Sequence, residues 1–130
     1  MRKPGQSAAK ARGRHSAKSD FLRLTPEAAE AEVERPAAEK VLAGDPVFTT
    51  WNAEERDGLY CGIWQSTPGK WWISYDEWEY CRILQGRSVI TSDDGSEYAL
   101  AAGDSFILRP GFSGTWEVIE TTCKDYVIRL

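Results

Sequence analysis

Residues 79–116, EYCRILQGRSVITSDDGSEYALAAGDSFILRPGFSGTW, constrain this chain more than any other stretch. Four apolar segments of strand length, at 81–84, 88–91, 98–100 and 105–108, are separated by turn signals at Gly86, Asp94-Gly95, Gly103-Asp104 and Pro110-Gly111. Strands this short, at this spacing, predict an all-β fold, an antiparallel sandwich or barrel.

The 130 residues suffice for one core. Their charge is unevenly spread. Residues 1–20 carry six Lys or Arg against Asp20 alone, whereas residues 21–130 carry ten against nineteen Asp or Glu. The acidic body excludes nucleic acid as its partner. The basic start lacks the apolar run of a signal peptide and reads as a disordered tail, with an organelle transit peptide as the alternative that its weak amphipathicity opposes. No stretch reaches the roughly eighteen apolar residues of a membrane helix.

After the tail, Thr25-Pro26-Glu27 resembles a capped helix start, and Pro36 sets the end of that short helix. Residues 21–57 are therefore expected to form an N-terminal arm, and residues 58–130 the β domain. Cys61, Cys81 and Cys123 are odd in number and widely spaced, which suits neither a disulfide framework nor a zinc site. They read as buried free thiols in a reducing cytoplasm. Trp51, Trp64, Trp71, Trp72, Trp78 and Trp116 supply aromatic mass for a core, a ligand cavity or both. Adjacent strand residues face opposite sides, so one of Trp71 and Trp72 must point outward, toward a dimer partner or the arm.

The ordered series Glu79-Tyr-Cys-Arg-Ile-Leu-Gln-Gly86, Ser92-Asp-Asp-Gly95, Ala102-Gly-Asp-Ser105, Arg109-Pro-Gly-Phe112, Thr115-Trp-Glu-Val118 and Lys124-Asp-Tyr126 resembles the cupin superfamily. More narrowly it is similar to small single-domain cupins related to the cupin domain of (S)-ureidoglycine aminohydrolase. The resemblance spans residues 60–130. It implies a double-stranded β-helix, or jelly-roll barrel, with a pocket inside its wider end and assembly as a homodimer. It also implies a metal held by two His and a Glu from the first motif and a His from the second. Carried onto this chain, the Glu falls on Glu79, but the His positions fall near Ile73, Tyr75 and Gly114, and the single histidine is His15 in the tail. A first-row metal of that kind needs ring nitrogens. No metal or other cofactor is therefore expected, and whether the chain is an enzyme stays open.

Strand parity places Cys81 and Ile83 on the face of Glu79, and Trp116 and Val118 on the face of Gly114. An inward Glu79 would be a carboxylate among rings. Burial would raise its pKa and a nearby cation would lower it, with Lys124, Arg82 and Arg109 as the available cations and Lys124 the best placed. The plain alternative is a buried salt bridge, or a hydrogen bond to Tyr75 or Tyr126. Tyr75 is expected as a core ring with its hydroxyl at the rim, and Asp76 and Glu77 as solvated bend residues. Ser66, Ser74, Ser105 and Ser113 have no histidine to activate them. The expected ligand-binding set is Tyr75, Glu79, Cys81, Phe112, Trp116 and Lys124. Its ligand would be a small polar organic molecule, a carboxylate or a nitrogen-containing metabolite. The rival readings are a metal enzyme of the ureidoglycine aminohydrolase type with a non-standard ligand set, and a protein-interaction module.

Overall fold

Two long strands organise the molecule, and the other strands either pair directly with one of them or are joined to it through strands that do. The structure, a computed structural model, describes residues 20–130, so the expectations for the basic tail lie outside the described residues. The strands are β1 (Glu32–Glu34), β2 (Val41–Gly44), β3 (Phe48–Arg56), β4 (Leu59–Ser66), β5 (Gly69–Ser74), β6 (Trp78–Ser92), β7 (Glu97–Ala101), β8 (Ser105–Leu108) and β9 (Ser113–Arg129). All pairings are antiparallel. β9 pairs with β6 along one edge and with β4 and β5 along the other, while β6 carries β7 and β8 on its far edge. β4 leads on to β3 and β1, and β5 to β2. The curled sheet is the expected double-stranded β-helix, a jelly-roll barrel.

β6 departs from the sequence expectation in one respect. Residues 81–84 and 88–91 belong to a single strand, and Gly86 is a bulge inside it. Gly86 has φ of 93°, and a Cβ there would lie 2.1 Å from the Thr121 carbonyl oxygen. The bulge switches the inward parity: Glu79, Cys81 and Ile83 are buried before it, Ser88 and Ile90 after it. One strand thereby serves both halves of the barrel.

Alternation puts Trp71 and Ile73 inside and leaves Trp72 47 % exposed, so the pair does split across the sheet. Inside, Phe48, Trp64, Trp71 and Trp116 form a continuous aromatic cluster with ring centroids 4.9 to 6.3 Å apart. Most of these rings are tilted, and Trp71 and Trp116 stack with planes 5° apart. Such pairs contribute about 0.5–1.5 kcal/mol each beyond burial.

The short N-terminal helix is a single 3-10 turn, Pro26–Ala28. Thr25 is extended as an N-cap should be, but its side chain makes no cap hydrogen bond. Ala29 is extended again, and Glu32–Glu34 pairs with β3 opposite Thr50, Thr49 and Phe48. Pairing along the open edge of β3 satisfies backbone groups over the stretch where local propensity suggests helix. Among the described residues no helix is long and apolar enough to cross a membrane.

Candidate functional site

The barrel interior gathers polar groups that the apolar alternation would not call for. On β9, Lys124 faces inward with Trp64 of β4 opposite it on one side and Ile83 of β6 on the other. Glu79 and Cys81 reach the same space from β6. Lys124 Nζ donates to Glu79 Oε2 at 2.9 Å and approaches Cys81 Sγ at 3.5 Å. It also lies 4.7 Å from the ring centre of Trp64 and 4.6 Å from that of Trp116. Both charged side chains are 0 % exposed.

Desolvating two ions costs several kcal/mol each, and their attraction repays this only with good geometry and further hydrogen bonds. The rings supply part of the compensation, because a desolvated ammonium over an indole face gains roughly 2 kcal/mol. Burial works against the charged form of Lys124, yet Cys81 and Glu79 outweigh it and hold its pKa above the ordinary value. At neutral pH this falls to Glu79, because burial first, and the Glu79 charge second, push the Cys81 thiol well up and keep it neutral. The same two causes raise Tyr75. Lys124 is thus a fixed cation, unsuited to act as an amine nucleophile. The Cys81 thiol is unreactive for the matching reason.

Some hydrogen-bonding capacity is left over. The indole N–H groups of Trp71 and Trp116 are buried with no partner at hydrogen-bond distance among the described residues. A second polar pair is also buried, where the Tyr126 hydroxyl donates to Asn52 Oδ1 at 2.6 Å.

A groove of about 650 Å³ opens at the mouth. Ile90, Leu100 and Leu108 form its buried floor, Phe106 and Phe112 its half-buried walls, and Tyr98, Arg109 and Pro110 part of its exposed rim. The loop bearing Phe112 is pinned to the barrel, since Tyr75 N–H donates to the Phe112 carbonyl at 2.9 Å and Gly111 N–H to the Tyr75 carbonyl at 2.7 Å. Phe106 joins groove to interior, with its ring centroid 6.2 Å from that of Trp116.

The structure therefore divides the six expected site residues. Tyr75, Glu79, Cys81, Trp116 and Lys124 are all buried in the interior, and Phe112 alone lines the groove. Of the three candidate cations, Lys124 pairs with Glu79, Arg82 pairs with Asp125 on the outside, and Arg109 lies at the groove. Two expectations are corrected. Tyr75 is 1 % exposed, so its hydroxyl is not at the rim. Glu77 is 3 % exposed, and its Oε1 accepts from the Asp76 N–H, while Asp76 itself is exposed as expected. Sequence reasoning missed Trp64 as a wall of the Lys124 box and the floor of the groove, since both depend on strand register, which leaves no local mark.

These features can be set beside known proteins. The profile of the EutQ-like cupin domain matches residues 53–126, more than half of the chain. The chain belongs to the EutQ-like cupins. Among solved structures, a DUF861-family protein of unknown function from Pseudomonas syringae pv. tomato matches this cupin with a TM-score of 0.69 at 21 % identity, covering 85 % of this chain and 46 % of that one. The EutQ protein of Clostridium difficile matches with a TM-score of 0.59 at 17 % identity, over 65 % of this chain and 63 % of its own. A putative ethanolamine utilization protein Q of Salmonella typhimurium gives 0.55 at 15 %, over 66 % and 70 %. These likenesses concern the fold, and this cupin spans less than two thirds of the first two proteins. No curated protein matches the sequence.

The usual cupin metal does not fit the donors present. Ile73 and Tyr75 stand at two histidine positions, and Glu79 already accepts from Lys124. At the third, a Cβ on Gly114 would lie 2.0 Å from the Thr91 carbonyl oxygen, so β9 and β6 leave no room there for a side chain. Among the described residues no group of three or more His, Cys, Asp or Glu could hold a metal ion.

Proposed function

We propose that this cupin binds a small polar organic molecule at the mouth of its barrel, without a histidine-bound metal. The observation that carries this reading is the groove of about 650 Å³ beside a fully buried ammonium–carboxylate pair. Its size falls within the few hundred to about 1,000 Å³ of ordinary ligand sites, and a mostly apolar lining with few polar groups is their usual composition. Phe112 and Phe106 form the walls that a ligand meets first. Behind Phe106, Trp116 and the Lys124–Glu79 pair offer a cation, an acceptor and an unpartnered indole N–H. The ligand reaches that pair only if Phe106 turns aside. Tyr75 and Cys81, kept neutral by burial, hold the pair in place.

The likeness to ureidoglycine aminohydrolase cupins carries no reaction here, because that chemistry depends on a metal and the donor set does not suit one. With a protonated lysine, a neutral thiol and no histidine near the site, binding is a better-supported role than catalysis. The half-exposed Trp72, on the opposite face of β5 from Trp71, supports a homodimer contact.

The test is a thermal-shift and calorimetric screen of the full chain against small carboxylates, amines and amides. Phe112→Ala serves as the control, because Phe112 is only half-buried and lines the groove, so its truncation removes a wall of the site. Binding by at least one compound that Phe112→Ala weakens supports the reading. A screen without binders, or binding that Phe112→Ala leaves intact, rejects it.

A further inference from the structure

The groove carries one charge that nothing else in the described structure uses. Its lining includes one cation, Arg109, and one anion, Asp104. Asp104 is committed to the turn between β7 and β8: its Oδ2 accepts from the Ala101 N–H at 2.9 Å, and its carbonyl accepts from the Ile83 N–H. Arg109 differs. Its carbonyl accepts from the Phe112 N–H, which closes the mouth turn, while its guanidinium makes no hydrogen bond or ion pair among the described residues. Other arginines of this acidic body do find partners, Arg35 with Asp45, Arg82 with Asp125 and Arg87 with Glu120.

The turn fixes where this guanidinium starts. Leu108 before it is buried in the groove floor, and Phe112 after it is tied to Tyr75. Arg109 is thereby anchored at the rim between an aliphatic floor and two phenyl walls. A planar fork of donors beside an apolar slot is matched by a ligand with a carboxylate at one end and a flat or aliphatic body at the other. A cationic or plainly apolar ligand would leave the guanidinium unanswered.

We infer that the groove selects organic carboxylates, with Arg109 holding the carboxylate at the rim and Phe106 and Phe112 packing the apolar body. This rests on the groove being the ligand site and adds the class of ligand to that reading.

Phenylacetate and its neutral isostere phenylacetamide are the probes. Each is titrated into the full chain by NMR with the Phe side chains labelled, using the wild-type protein, Arg109→Gln and Arg109→Lys. The expected result is that both probes shift Phe106 and Phe112, that wild type prefers the carboxylate about tenfold, and that Arg109→Gln removes the preference. Arg109→Lys, a point charge without the fork, keeps part of it. Equal binding of acid and amide to wild type, or a preference that survives Arg109→Gln, overturns the Arg109 assignment and leaves the groove as a binding site. If neither probe shifts Phe106 or Phe112, the carboxylate assignment falls. If the wider screen also finds no binder, the groove reading falls with it.

Discussion

Lys124 Nζ lies 2.9 Å from Glu79 Oε2 across the β6–β9 pair, with both side chains sealed from solvent and the ammonium roofed by Trp64 and Trp116. A core built for packing alone would place apolar residues at these two inward positions. The pair makes the interior dependent on both partners at once.

Removing one partner should therefore be far worse than removing both. Lys124→Met leaves Glu79 as a buried, uncompensated carboxylate and is expected to destabilise by about 3–5 kcal/mol. Lys124→Met with Glu79→Leu should recover most of that loss. Urea denaturation of the two variants measures it, and a single-variant loss below about 1 kcal/mol would show the pair to be energetically idle.

The pH dependence has a definite sign. Cys81, Tyr75 and Lys124 all have folded pKa values above their ordinary values of 9.0, 10.0 and 10.5. A group raised on folding gives its full stabilisation below its unfolded pKa and loses it as pH climbs toward the folded one. Stability should hold through neutral pH and fall from about pH 9 upward, where the unfolded thiol of Cys81 begins to ionise while the folded one cannot. Cys61 and Cys123, raised by partial burial, add in the same direction. Cys81→Ala should make the decline between pH 9 and 10 shallower. Chemical denaturation at stepped pH tests this, and stability that rises over that interval contradicts it.

Gly114 should tolerate no side chain. A Cβ at this position would come within 2.0 Å of the Thr91 carbonyl oxygen, and backbone lies on both sides of that contact, so Gly114→Ala must move β9 away from β6. A loss of at least about 1–3 kcal/mol is expected, the range for overpacking. Gly114→His, which would put a histidine where cupin metal sites have one, is expected to unfold the barrel before it creates a ligand. A melting temperature within a degree or two of wild type for Gly114→Ala would refute the close approach.

Trp72 should be the indole most open to quencher, being the only one of the six among the exposed large hydrophobic residues. In the monomer, acrylamide should quench a fraction of the emission that Trp72→Gln removes, with stability changed by no more than about 0.5 kcal/mol. Protection of Trp72 that appears with rising protein concentration would place it in a dimer contact. Protection in the monomer would contradict its outward orientation.

The all-β fold was legible because turn residues recur at fixed spacing between apolar segments, and because period-two alternation put Glu79, Cys81 and Ile83 on one face. Lys124 could be preferred to Arg82 and Arg109 because it lies in a strand-like segment beside Tyr126 near the C-terminus. What stayed hidden follows from pairing between distant segments. The bulge at Gly86 reads in sequence as a turn, because a glycine at positive φ serves either purpose and the close partner strand at Thr121 is thirty-five residues away. The helix suggested by Thr25-Pro26 was reduced to one turn by the open edge of β3. Trp64 could not be assigned to the Lys124 box without the β4–β9 register, nor the groove floor without the packing of β7 and β8 along β6.

The most direct measurement of the central claim is an NMR titration of the small-molecule panel, following Phe106, Phe112 and the Leu100 and Leu108 methyl groups together. At least one organic molecule is predicted to shift all four residues in a single saturable transition, in protein from which chelator has removed any metal. Binders that leave all four unmoved, or binding that appears only after a divalent metal is restored, would contradict the account.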